Sequence, residues 1–297
     1  MIDAIRTPED RFADLPGFPW PAHHVDDLPG YEGLRMAYVD VGPPDGQVVL
    51  CLHGQPTWGY LYRSMIPVFE AAGYRVIVPD LFGFGRSDKP TDDAVYTFDF
   101  HRDSLIAFID RLGLEGVTLV LHDWGGLLGL TLPVDRPKLA SRLIVTNTGL
   151  ATGKVPLGKA FEEWREWVSN TPDLEVDRLM GRACPQLDEA ERAAYGAPYP
   201  DVTYKGGVRR FPALVPDRPD APGAELSQRA LLWWRKEWNG PSFVAIGMQD
   251  PIFNVQAMES LRKLVKAPEP LQIADAGHFV PEWGDEIARA ALASFEA

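Results

Sequence analysis

Three observations in the sequence predict an α/β fold, a mostly parallel sheet covered by helices on both faces. Short β-branched and apolar runs alternate with segments of helical spacing. The unusual polar residues gather at the carboxyl ends of those runs, where ligands bind in such sheets. One stretch, Val117 to Gly126 (VTLVLHDWGG), passes from an apolar run through His122-Asp123-Trp124 into a glycine-led helical pattern, which reads as strand, sharp turn and helix.

Taken in order, residues 1–33 are rich in Pro, Asp and Gly and read as an irregular lead-in. Leu34 to Val41 alternates in strand fashion, Gly42-Pro43-Pro44-Asp45-Gly46 is turn chemistry, and Gln47 to His53 is a buried strand; the pair predicts a hairpin that starts the sheet. A loop at His53-Gly54-Gln55-Pro56 leads into a helix. Tyr74 to Pro79 is the next strand, Phe98 to Leu112 has helical spacing, and Val117 to Leu121 and Arg142 to Asn147 are further strands. From Leu150 to Asp217 strand-like runs vanish, prolines recur, and short helical pieces carry Trp164 and Trp167. This pattern predicts a helical cap, residues 150–217, inserted into a core made of residues 1–149 and 218–297. Sheet alternation resumes at Pro241 to Gly247 and Pro270 to Ala274, and a final helix runs from Asp285 to Glu296.

The chain has 297 residues, 45% of them hydrophobic, enough for a large core with an insertion. Its formal net charge is −13, and Lys and Arg form no stripe or tail. Binding to nucleic acid or to an anionic membrane surface is disfavoured, since both need clustered positive charge. Cys51 and Cys184 lie far apart in sequence and are expected to be buried, reduced thiols. No apolar segment approaches the ~20 residues of a membrane span, and MIDAIRTPEDRF lacks the pattern of a secretory signal. Cytoplasmic residence is the expectation. No His, Cys and carboxylate spacing suggests a metal site, and no cofactor is expected.

Asp123 occupies the turn where a hydrolase with this strand-turn-helix unit exposes its nucleophile. A carboxylate there also reads as a cap for the following helix. Leu121 stands where the usual G-x-S-x-G pattern has its first glycine. A nucleophile reading demands an acid and then a histidine later in the chain, and both follow. Phe243 to Asp250 (FVAIGMQD) is a strand ending in a carboxylate, and Asp275-Ala276-Gly277-His278 places a histidine just after the last strand. Asp250 would orient His278 and stabilise its imidazolium. The other position for an orienting acid, after the strand from Arg142, holds Asn147, and Asp275 reads as a turn residue. His53 and His122 read as hydrogen-bonded supporting groups, and His23, His24 and His101 have no supporting context.

The set HGQPTW, DLFGFGRSDKP, HDWGG, GMQD and DAGHF resembles the haloalkane dehalogenases of the α/β-hydrolase fold, in the branch whose acid follows the later strand. The resemblance runs essentially from end to end. It implies a haloalkane, water and a halide ion as the small-molecule partners, and a monomer is expected. An alkoxide nucleophile would leave an inert ether, whereas a carboxylate forms an ester that water cleaves at the carbonyl carbon. The resemblance further implies an oxyanion hole of the backbone N–H groups of Gln55 and Trp124, with Gln55 replacing the glutamate of better-known relatives. It implies halide binding by Trp124 and Trp164, the latter by the context FEEWREWVSNTPDL with Trp167 as rival, and a pocket wall at Phe161. An indole N–H suits an expelled halide, being a donor only on an apolar body. Aromatic density in the cap suggests a tight pocket and short terminal haloalkanes.

The nearest competing reading is an epoxide hydrolase, which shares the acid-base machinery but protonates its leaving alkoxide with cap tyrosines; Tyr195, Tyr199 and Tyr204 lie in the insertion. A non-catalytic binding protein of the same fold is a third, although no member of the triad is missing.

Overall fold

The computed structural model describes residues 2–296. The main sheet has eight strands: β1 (His23–Val25), β2 (Met36–Val41), β3 (Val48–Leu52), β4 (Arg75–Pro79), β5 (Val117–His122), β6 (Ala140–Thr146), β7 (Ser242–Gly247) and β8 (Leu271–Ile273). Their spatial order is β8-β7-β6-β5-β3-β4-β2-β1. Every pair from β8 to β4 is parallel, and β2 is antiparallel to both β4 and β1. A short pairing of Ala4–Ile5 with Lys89–Pro90 lies apart from this sheet. All residues of β5 and β7 are buried, as expected for parallel strands covered on both faces.

The expected hairpin between Leu34–Val41 and Gln47–His53 does not form. β4 lies between the two strands, pairing Tyr38 with Pro79 on one side and Leu50 with Ile77 on the other. The turn at Gly42 is therefore a crossover, and a side chain on Gly42 would run into the Tyr74 carbonyl, just before the intervening strand. β3 is apolar on both faces and takes parallel neighbours, which a two-strand hairpin cannot supply. The lead-in is also less irregular than expected, since it contributes the edge strand β1.

The helices are α1 (Ile66–Ala71), α2 (Phe98–Leu112), α3 (Trp124–Gly129), α4 (Lys159–Ser169), α5 (Val176–Ala183), α6 (Glu189–Gly196), α7 (Gly206–Leu214), α8 (Ala224–Lys236), α9 (Val255–Leu264) and α10 (Gly284–Glu296). Thr97 caps α2 by accepting from the Phe100 N–H, and Gly113 ends it in the left-handed conformation. Helices α4 to α8 lie between β6 and β7 in the chain, and α4 packs against α7. Phe161, Trp164 and Val168 recur at the spacing of one helical face of α4, and Val168 is buried. Both cysteines are free and buried. Among the described residues no helix is long and apolar enough to cross a membrane.

Candidate active site

The site is built at the carboxyl ends of β5, β6 and β7. Asp123 follows β5 directly and has φ 47° and ψ −123°, a backbone conformation that non-glycine residues rarely adopt. Such a residue carries on the order of 1–3 kcal/mol of strain and persists where its surroundings over-determine it. Its carboxylate makes no capping hydrogen bond to α3, so the helix-cap reading fails. A side chain on Gly125 would run into the Leu52 carbonyl oxygen, which is why α3 can start so close to β3. The bulk of Leu121, where a glycine is usual, is accommodated one helical turn further on. A Cβ at Gly129 would come within 2.5 Å of Leu121 Cδ2, so the missing small residue is supplied from the helix side.

Asp123, Asp250 and His278 come together from three separate parts of the chain. His278 Nδ1 lies 2.8 Å from Asp250 Oδ2, and His278 Nε2 lies 3.6 Å from Asp123 Oδ1. Asp123 Oδ2 accepts the Gln55 backbone N–H at 2.8 Å. Asp250 Oδ1 accepts the Ile252 N–H at 2.7 Å. Burial raises the pKa of Asp123 above the ordinary carboxylate value, opposed by His278 and by the Gln55 and Trp124 N–H groups. Burial acts the same way on Asp250, but the charge and hydrogen bond of His278 outweigh it and hold Asp250 down to about 2. Burial lowers His278, yet the two neighbouring carboxylates, Asp250 foremost, raise it to about 9. The imidazolium is thus favoured while both carboxylates are charged.

These groups open into a cavity of about 320 Å³. Its wall includes Asp123, Trp124, Phe161, Trp164, Asp250 and His278. Gln55 also reaches it, and its side chain turns to the cap, where Nε2 donates to the Val208 carbonyl at 2.8 Å. The Gln55 amide therefore ties the loop to α7 and leaves the backbone N–H for Asp123. Trp164 lines the cavity, whereas Trp167 does not and is 37% exposed. The two rings touch, with centroids 5.3 Å apart. The indole N–H groups of Trp58, Trp234 and Trp238 find protein acceptors, while those of Trp124 and Trp164 find none among the described residues.

The cap tyrosines point elsewhere. The Tyr195 hydroxyl donates to Glu282, which also takes two hydrogen bonds from Arg63, and the Tyr199 hydroxyl donates to the Pro56 carbonyl. Among the described residues no tyrosine lines the cavity. Asp275 is exposed in a turn. His53 is fully used by its neighbours, with Nδ1 at 2.8 Å from the Gly54 carbonyl and Nε2 accepting the Leu81 N–H at 3.0 Å. His122 is buried beneath His278, ring centroids 5.0 Å apart, and burial lowers its basicity well below the usual value. His101 is packed against Tyr96 and Phe211, away from the cavity wall.

Asn147 is no acid, yet the structure places it against Asp250 as a donor, Nδ2 to Oδ2 at 2.9 Å. The available signal was its position at the end of β6, beside the strand that carries Asp250.

Residues 47–285 match the family model described as the alpha/beta hydrolase fold. A haloalkane dehalogenase from Mycobacterium marinum is 41% identical, covering 97% of this chain and 98% of its own. Another from Psychrobacter cryohalolentis is 40% identical, covering 96% of this chain and 95% of its own. Among solved structures, a haloalkane dehalogenase from Paraglaciecola agarilytica, described as tetrameric, is 50% identical with a TM-score of 0.97 over 99% of both chains. With relatives of this similarity over nearly its whole length, and with the carboxylate, acid, histidine and indoles gathered on one apolar cavity, the chain belongs to the haloalkane dehalogenases of the α/β-hydrolase fold.

Proposed function

We propose that the protein hydrolyses short terminal haloalkanes to alcohol and halide through an ester on Asp123, using Asp250 and His278 for the second step. The observation that carries this is the shared cavity: Asp123, Trp124 and Trp164 line it and no described tyrosine does. Asp123 Oδ2 is engaged by the Gln55 N–H, so Oδ1 is the free oxygen for in-line attack on the halogen-bearing carbon. The carbon–oxygen bond forms as the carbon–halide bond breaks, and the halide leaves with the electron pair toward the Trp124 and Trp164 N–H groups.

The ester removes the Asp123 charge, one of the influences that hold a proton on His278. Neutral imidazole becomes more accessible at the point where a base is needed. His278 Nε2 takes a proton from a water that attacks the Asp123 carbonyl carbon, while Asp250 steadies the imidazolium through Nδ1. The oxyanion develops at Oδ2, against the Gln55 and Trp124 N–H groups. Collapse breaks the bond to the alkyl oxygen, which receives the proton from His278, and Asp123 is restored with one oxygen from water.

Supplied with Phe161 and Trp164 by α4 and Pro212 by α7, the cavity supports the division into a core of residues 1–149 and 218–297 and a cap of 150–217. Its volume of about 320 Å³ is at the small end of ligand pockets, which supports short substrates; best turnover of long chains would overturn that assignment. For assembly, the tetramer described for the Paraglaciecola relative stands as the alternative to the monomer expected from sequence, and sedimentation equilibrium distinguishes 33.0 kDa from four times that mass. The activity is tested with His278→Gln and 1,2-dibromoethane. Bromide release without turnover and a bromoethyl mass on the peptide containing Asp123 are expected; diol formation from an epoxide with no halide release from any haloalkane would refute the proposal.

A further inference from the structure

We infer that Asn147 and Thr148 form a two-residue positioning clamp, in which one dipeptide at the end of β6 holds the backbone of the nucleophile and the carboxylate of the acid. This rests on the ester mechanism proposed above and adds residues to it. β6 lies between β5 and β7, with His122 opposite Thr146 and Thr146 opposite Ala245, so the residues that follow β6 fall between Asp123 and Gly247.

On the nucleophile side, both backbone groups of Asp123 are taken. Its N–H donates to the Asn147 carbonyl at 3.1 Å, and its own carbonyl accepts the Thr148 hydroxyl at 2.6 Å. Asp123 has φ 47°, and a strained residue keeps its geometry only when its neighbours leave no alternative. Thr148 is 1% exposed, and a side chain on Gly126 would overlap it, so the hydroxyl is pressed between α3 and the nucleophile turn.

On the acid side, the Asn147 side chain is fully buried and fully used. Its Oδ1 accepts the Gly247 N–H at 2.8 Å. Its Nδ2 donates to Asp250 Oδ2 at 2.9 Å, the same oxygen that lies 2.8 Å from His278 Nδ1. It also lies 3.3 Å from the Phe253 carbonyl. An amide can grip β7 and Asp250 together because it offers an acceptor and donors; a carboxylate at this position would face Asp250 with like charge. Fixing Oδ2 fixes the ring of His278, and hence where its other nitrogen aims relative to the carbonyl carbon of Asp123.

The two halves of the clamp serve different chemical steps. The Thr148 hydroxyl acts on the geometry of attack on the haloalkane, and the Asn147 side chain acts only once His278 is needed as base. The test is rapid-mixing kinetics with 1,2-dibromoethane, reading the bromide burst for ester formation and the decay of the bromoethyl adduct on Asp123 for its hydrolysis. Asn147→Ala is expected to keep the burst within about threefold of wild type while slowing adduct decay at least about tenfold, the effect of losing a hydrogen bond to a charged group. Asn147→Ser serves as a second variant should the alanine protein fail to fold. Thr148→Val is expected to slow the burst about tenfold, and Thr148→Ser, which returns the hydroxyl, to restore it. Equal slowing of both steps by the Asn147 variants, or no slowing of either, would overturn the clamp, as would Thr148→Ser remaining as slow as Thr148→Val. A His278→Gln protein that traps no bromoethyl adduct removes the ester mechanism itself, whereas a trapped adduct in His278→Gln with unsplit Asn147 and Thr148 variants overturns the clamp alone.

Discussion

Replacing Trp164 by phenylalanine separates the two tryptophans that compete for the second halide contact. The phenyl ring keeps most of the packing on the inner face of α4 and removes only the indole N–H. A hydrogen bond to a charged partner contributes roughly 1.5–3 kcal/mol. At about 1.4 kcal/mol per decade, that is on the order of a 10- to 150-fold loss in halide affinity. The lower half of that span is expected, because Trp124 remains as a donor on the same cavity. Trp167 is 37% exposed and off the cavity wall, so Trp167→Phe should change affinity by no more than about twofold, as exposed substitutions usually do. Bromide titration of the remaining tryptophan fluorescence, together with the halide-release rate on 1,2-dibromoethane, measures both. Loss of bromide affinity in Trp167→Phe with Trp164→Phe unaffected would refute the assignment and shift the halide contact one turn along α4.

Three further outcomes follow from the same geometry. His278 is held at about 9 in the folded protein against an ordinary 6.5, so its stabilisation is complete below pH 6.5 and lost as pH rises toward 9; the melting temperature should fall across that window, and Asp250→Asn should flatten the fall, while an unchanged slope would contradict the pairing. Gly129→Ala places a methyl 2.5 Å from Leu121 Cδ2 and should destabilise the fold by about 1–3 kcal/mol, with Leu121→Ala in the double variant recovering part of it; purely additive effects in urea titrations would disprove the compensation. Tyr195→Phe removes a donor from the buried Glu282 and Arg63 cluster, so it should lower thermal stability while halide release persists, and a collapse of turnover in a folded Tyr195→Phe protein would point to an acid role for that hydroxyl.

Much of the site was legible because its chemistry sits at strand ends. Asp123 and Asp250 each close an apolar run and His278 follows a third, and that local punctuation survives without knowledge of which strands are neighbours. Trp164 lies on the cavity wall and Trp167 off it, a placement in line with the preference that the local context gave Trp164. What escaped depended on pairing across the sheet. β4 enters between β2 and β3 from downstream of both, and no feature of the Gly42 turn distinguishes a crossover from a hairpin. Asn147 touches Asp250, 103 residues away, only because β6 and β7 are adjacent. The tyrosines of the insertion were ambiguous for a similar reason, since Tyr195 finds its acceptor at Glu282, beyond the last strand.

The central claim is that a carboxylate of the protein is transiently esterified, and one catalytic round in heavy-oxygen water with enzyme in excess over 1,2-dibromoethane tests it most directly. The alcohol is expected to carry ordinary oxygen, and the peptide containing Asp123 to carry a heavy oxygen. Heavy oxygen in the alcohol with none on the protein would mean that water attacks the haloalkane itself, and would contradict it.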